Sequence, residues 1–180
     1  MSAEELPTPA QAFDIGDQER IRAAIAEMEA LDSELRRRRK EQGIRYYVPN
    51  PMQQRAHLSE ANTRLYVGGN RAGKSTFGAA ETAMHLTRDY PAWYPAARRF
   101  RGPIKAAIVA TEFPIVQRVI EPKLMAYLPK SHIAKTVRTP QGYISRLVCV
   151  DGSTVDVLTN EMSQLAFESA DWDWAWIDEP

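Results

Sequence analysis

At 180 residues with 44% hydrophobic side chains, the chain is long enough for one domain with a sizeable core. Lys+Arg and Asp+Glu each total 23, so the net charge of zero speaks neither for nor against nucleic acid, and only local clusters can point to it. The lone Cys149 excludes a disulfide framework and a cysteine-based metal site, no apolar run reaches the length of a membrane span, and Met1–Leu6 lacks the basic-then-apolar order of a signal peptide, so a soluble intracellular protein is expected.

Residues 1–16 are small, acidic and proline-containing, and are expected to be loose. Asp17 is a suitable cap for a helix running to about Gln42, with Ile21, Ala24, Ile25, Met28, Leu31 and Leu35 at helical spacing and Gly43 as the stop. Its end carries Arg36–Lys40. That run suits either DNA phosphates or a solvated helix terminus whose cations complement the dipole. Residues 1–44 thus form a tail and basic helix ahead of a domain over 45–180.

Asn50-Pro51 opens a short helix through Leu58, with Asn50 as cap and Pro51 at the first helical position. Arg64–Val67 is a short β-prone run. The string GGNRAGKS (68–75) follows at once, and Thr76–Leu86 reads as a helix. Strand, glycine loop and helix are the context that a G-x-x-x-x-G-K-[ST] phosphate-binding loop requires. Gly68 and Gly73 let the backbone turn and approach a phosphate. The N–H groups of Gly68, Gly69, Asn70, Arg71, Ala72, Gly73, Lys74, Ser75 and Thr76 can form an anion nest backed by a helix dipole. Lys74 can reach the β- and γ-phosphates of ATP, and Ser75 can offer its hydroxyl to Mg²⁺.

Tyr90–Pro95 is an aromatic and proline loop, and Arg98-Arg99-Phe100-Arg101 is a second basic cluster suited to DNA or to solvent. Ile104–Ala110 reads as a buried strand, and a helix is expected from Pro114 to Tyr127 with a kink or break at Pro122. Gly142–Val150 and Ser153–Leu158 flank Asp151-Gly152, a hairpin signal. The last strand, Trp174–Ile177, runs into Asp178-Glu179. An apolar strand ending in two acids, downstream of a phosphate loop, has the form of a Walker B motif. Asp178 would support Mg²⁺ through its waters, and Glu179 would activate the attacking water. His57, His85 and His132 fall on unrelated elements without ligand spacing and read as core or surface histidines. Trp172, Trp174 and Trp176 alternate and would share one face of a strand, where core packing is the expected role.

Over residues 45–180 the ordered set Pro51–His57, GGNRAGKST (68–76), Tyr90–Trp93, Gln141–Ile144, Asp151–Ser153 and Trp172–Pro180 resembles the large terminase subunits of tailed bacteriophages. The resemblance implies an α/β P-loop NTPase fold of the RecA-like, additional-strand catalytic-glutamate group. It would have a mostly parallel sheet, flanking helices and a hairpin insertion, and would be incomplete at its C-terminus. It implies an ATPase motor that packages double-stranded DNA into procapsids in the host cytoplasm. The motor would dock as a homo-oligomeric ring on the portal protein and work with a small terminase subunit, with no membrane partner. Gln53 looks like the adenine-reading glutamine, with Gln54 as the alternative, and Arg71 matches an arginine that some terminases place inside the loop as a charge stabiliser. The family's coupling motif, further strands and nuclease domain do not occur in these residues, so the 180-residue stretch by itself is expected to be a weak binder without turnover. The resemblance also implies one more strand between the two motif strands. Its absence would leave a gap or force them to pair directly. A helicase-type translocase and a nucleotide-binding assembly module without turnover are the alternatives.

Overall fold

A computed structural model describes residues 15–69, 71–162, 167 and 171–179. Asn70, within the phosphate loop, and the tail ahead of Ile15 lie outside them. The fold divides into two units, residues 1–38 and 39–180, with the division inside the first helix.

Helix α1 (Ile15–Glu41), most of it in the first unit, begins before Asp17, which therefore sits in the first turn rather than at the cap. Ile21, Ile25, Met28, Leu31 and Leu35 line up as the spacing predicts, yet all are exposed. Three residues of the basic run pair with acids of their own helix, while Arg39 lies over the Tyr46 ring. Arg36 lies 2.8 Å from Asp32, and Arg37 and Arg38 both engage Glu34, at 2.8 and 2.7 Å. The hydrogen bonds from Arg37 and Arg38 hold the Glu34 carboxyl down to about 2. Exposed pairs of this kind contribute little to stability, because water screens them.

The second unit contains helix α2 (Pro51–Leu58) and helix α3 (Lys74–Thr87), followed by strand β1 (Lys105–Ala110). Helix α4 (Phe113–Ile115) continues through a π-turn (Val116–Ile120) into α5 (Glu121–Tyr127). Strands β2 (Ile133–Arg138), β3 (Ile144–Cys149), β4 (Thr154–Thr159) and β5 (Trp174–Ile177) complete an α/β fold with one open sheet of order β2-β3-β4-β1-β5. β1 runs parallel to both β4 and β5, while β2–β3 and β3–β4 are antiparallel, so the sheet is mixed and not mostly parallel. The Asp151-Gly152 hairpin forms as expected, with Gly152 at φ 90°. β2 was not foreseen. It is a largely exposed edge with two register shifts, features that discourage further pairing.

Two expectations about local structure are corrected. Residues 64–67 are in no sheet ladder, and Leu65 and Val67 are 85% and 71% exposed. Among the described residues β5 pairs with β1 alone and does not pair with residues 64–67, so the direct pairing of the two motif segments is not formed. Pro122 does not break its helix. Proline lacks an N–H and its ring crowds the carbonyl four residues back. Here the preceding turn is widened, with Glu121 N–H donating to Val116 O five residues earlier, and the helix runs on to Tyr127.

Helix α3 is the hub of the core. Phe77 through Leu86 are all buried, packed with Ala106, Ile108 and Ala110 of β1, Val155 and Val157 of β4, and Trp176 of β5. Trp176 and Trp174 share this face, and Trp174 Nε1 donates to Thr82 Oγ1 at 3.0 Å. Trp172 instead packs with Ala107, Val109 and Leu158, against the single-face expectation, because it precedes the strand.

Gly78 makes the Trp176 contact possible. A Cβ built there would stand 2.3 Å from the indole, in the interior of a helix where glycine ordinarily costs about 1 kcal/mol relative to alanine. Gly78→Ala is therefore expected to destabilise by about 1–3 kcal/mol, the usual cost of overpacking, instead of gaining the propensity difference. Denaturant unfolding of the variant beside the parent measures it, and a rise in stability would contradict this packing.

Candidate functional site: the loop before α3 and the acidic pair after β5

The loop is shaped from three sides. Gly73 caps α3 at φ 83°, and a Cβ there would meet Gln53 Nε2 at 2.6 Å, so both the left-handed backbone and the close approach require glycine. Arg71 adopts φ 67°, the left-handed region again, in the turn closed by Ala72 N–H to Gly69 O at 3.2 Å. Lys74 opens the helix, and its ammonium donates to Gly68 O at 2.9 Å, which folds the side chain back along the loop. Tyr66 OH and Asn50 Nδ2 both reach Ala72 O, at 3.2 and 3.4 Å.

Gln53 has a role that its sequence position did not announce. Its Oε1 accepts from Asn50 N–H at 2.9 Å while Asn50 Oδ1 accepts from Gln53 N–H at 2.9 Å, a capping box. Its Nε2 donates to Gly73 O at 2.9 Å. The buried amide thus links the start of α2 to the loop through both ends, whereas Gln54 is exposed.

Across the cleft, Asp178 N–H donates to Val109 O at 2.8 Å, which fixes the end of β5 beside the end of β1. This brings the Asp178 carboxyl to Ser75, whose hydroxyl donates to Oδ2 at 3.3 Å, although 103 positions separate them. Burial raises the Asp178 carboxyl above its ordinary range, and the neighbouring Glu179 adds to the rise, against the opposing pull of the Ser75 hydrogen bond and the Lys123 charge. Glu179 is exposed and held at φ 55°. Gly69, Arg71 through Thr76, Lys123 and Glu179 line one pocket of about 260 Å³. The pocket gathers the described residues of the predicted loop site and acidic pair except Gly68 and Gln53, which support the loop, and Asp178, which joins it through Ser75. Lys123, from α5, was missed.

The oxygen donors of Ser75 and Asp178, close together and half-screened from water, are of the hard type that Mg²⁺ takes. The loop's N–H groups, Arg71 and Lys74 beside them suit a polyphosphate.

Behind the loop lies a buried polar network that sequence reading also missed. Glu81 is fully buried at the centre of α3. It takes an ion pair from Arg64, a 2.6 Å hydrogen bond from Tyr94 OH, and a 3.3 Å contact with His57 Nδ1. Burial pulls its carboxyl up, but His57 and Arg64 outweigh this and hold it below the ordinary value. Burial drives the His85 imidazole down to about 4, so it sits neutral in the core. His57 and His85 are core histidines, as expected. His132 comes near Cys149 and Asp151, but its Nε2 faces Leu86 O at 3.0 Å, Asp151 is engaged by Arg88 and Ser153, and burial pushes the thiol up to about 12. Those groups are spent on the fold.

Comparison with protein-family models, with curated proteins and with solved structures finds no match to this chain.

Proposed function

We propose that residues 45–180 are the ATPase portion of a terminase large subunit, hydrolysing ATP to drive double-stranded DNA into procapsids. The observation that carries the reading is the meeting of Ser75 and Asp178 at 3.3 Å, with Ser75 lining a pocket together with Lys74 and Glu179. In this reading the loop N–H groups and Lys74 bind the β- and γ-phosphates, and Arg71 adds charge at the rim. Ser75 and Asp178 would hold Mg²⁺, which when bound neutralises phosphate charge. Glu179, exposed at the mouth, is free to orient a water and take its proton. Gln53 supports the loop in the form described here, and an adenine-reading role would draw its amide away from Gly73 O. The portal protein, the small subunit, a ring assembly and a place in the host cytoplasm follow from the resemblance alone. Among the described residues no helix is long and apolar enough to cross a membrane.

A nucleotide-binding module without turnover draws on one observation, the absence of a ladder at residues 64–67. Phosphate release from Mg²⁺-ATP, with and without double-stranded DNA, separates the two in the protein's full reading frame. DNA-stimulated release is expected. Tight ATP binding with no release, with or without DNA, would favour the binding module.

A further inference from the structure

We propose that Lys123 is a second lysine of the phosphate site, placed to contact the γ-phosphate. The inference rests on the nucleotide reading above and extends it to a residue outside both motifs.

Lys123 lines the same pocket as Lys74, Ser75 and Glu179, and it is partly buried there. These neighbours locate it along the pocket. Ser75 and Asp178 mark the metal end, where β- and γ-oxygens would lie, and Glu179 marks the side from which water would attack. Gln53 and Asn50 stand behind Gly73 and Ala72, away from that end. A cation at the metal end discriminates by the number of phosphates, because the terminal phosphate carries the extra charge.

The geometry has a local cause. Glu121 N–H reaches back five residues to Val116 O, so the π-turn holds one residue more than an α-turn. One inserted residue rotates everything after it by about 100° around the helix axis. Leu124 is buried against the core, and Lys123 is carried to the pocket side. Pro122, which cannot donate to the residue-118 carbonyl, suits that widened turn. A proline followed at once by a lysine thus builds the wall of the site.

The test compares ATPγS and ADP, each titrated with Mg²⁺ into the parent chain and into Lys123→Ala, Lys123→Gln and Lys123→Arg, with thermal unfolding as the check on folding. Lys123→Ala and Lys123→Gln are expected to weaken ATPγS roughly tenfold and to leave ADP within about twofold, the scale of one charge-assisted contact. Lys123→Arg is expected to retain most of the ATPγS affinity. Equal losses for both nucleotides, or no loss for either, would overturn the proposal. If that happens while Lys74→Ala still abolishes binding, the phosphate-loop reading survives and only Lys123 is misassigned. If Lys74→Ala binds both nucleotides like the parent, the two readings fall together.

Discussion

Lys74→Ala is expected to weaken nucleotide binding by roughly 10²-fold or more. The side chain starts α3, so its ammonium lies where the helix dipole and the loop N–H groups already favour negative charge. Its present partner is the carbonyl of Gly68, a contact between a cation and a neutral acceptor. A triphosphate would replace that partner with anionic oxygens on two phosphates. Two such contacts at about 1.5–3 kcal/mol each account for the expected loss. The fold should survive, because the buried face of α3 begins at Phe77 and Lys74 contributes nothing to it. Titration with a fluorescent ATP analogue measures the effect, and thermal unfolding checks the fold. Unchanged affinity would remove the phosphate-loop assignment.

Glu179→Gln is expected to leave ATP binding near the parental value and to slow turnover by roughly 10²–10⁴, the usual contribution of a positioned general base. The two neighbouring acids are in different environments. Asp178 is buried and bonded to Ser75, while Glu179 is exposed on the pocket with a left-handed backbone that turns it away from the β5 direction. A buried, bonded carboxylate suits a fixed ligand, and an exposed one can meet water. Glutamine keeps the shape but cannot accept the proton. Single-turnover phosphate release from the full reading frame is the measurement. A parental rate would mean that the base lies elsewhere.

Local signals made much of this legible. Asn50-Pro51 announced the cap of α2, Gly73-Lys74 the start of α3, the Ile104–Ala110 run β1, and Asp151-Gly152 the hairpin, because each depends on residues within a few positions. The errors lie where structure depends on distant partners. Arg64–Val67 has strand composition, but a strand exists only if something pairs with it. β2 gains its identity from β3, since its own residues are mostly exposed and carry no alternating pattern. At the site, the loop and the acidic pair could be read because their chemistry is written in consecutive residues. Lys123 could not, because which face it occupies depends on a π-turn that ordinary helical periodicity does not include. Nor could the capping role of Gln53 be separated from adenine recognition before Gly73 O was seen beside its amide.

The stretch leading into the loop is fastened in an unusual way. Lacking ladder bonds, it is held by side chains: Arg64 to Ala56 O at 2.9 Å and to Glu81, and Tyr66 to Ala72 O with its ring stacked on Phe77. The loop is therefore clamped at its α3 end by a buried helix and at its other end by a few side-chain pins. Its two halves should open with very different free energies, the upstream half in small local excursions and the downstream half only when the core itself comes apart. A phosphate group arriving at the pocket would thus meet one rigid jaw and one compliant jaw. Whatever tightens the compliant jaw, whether nucleotide or a neighbouring strand, would lose part of its interaction energy to the ordering of Leu65 through Gly69.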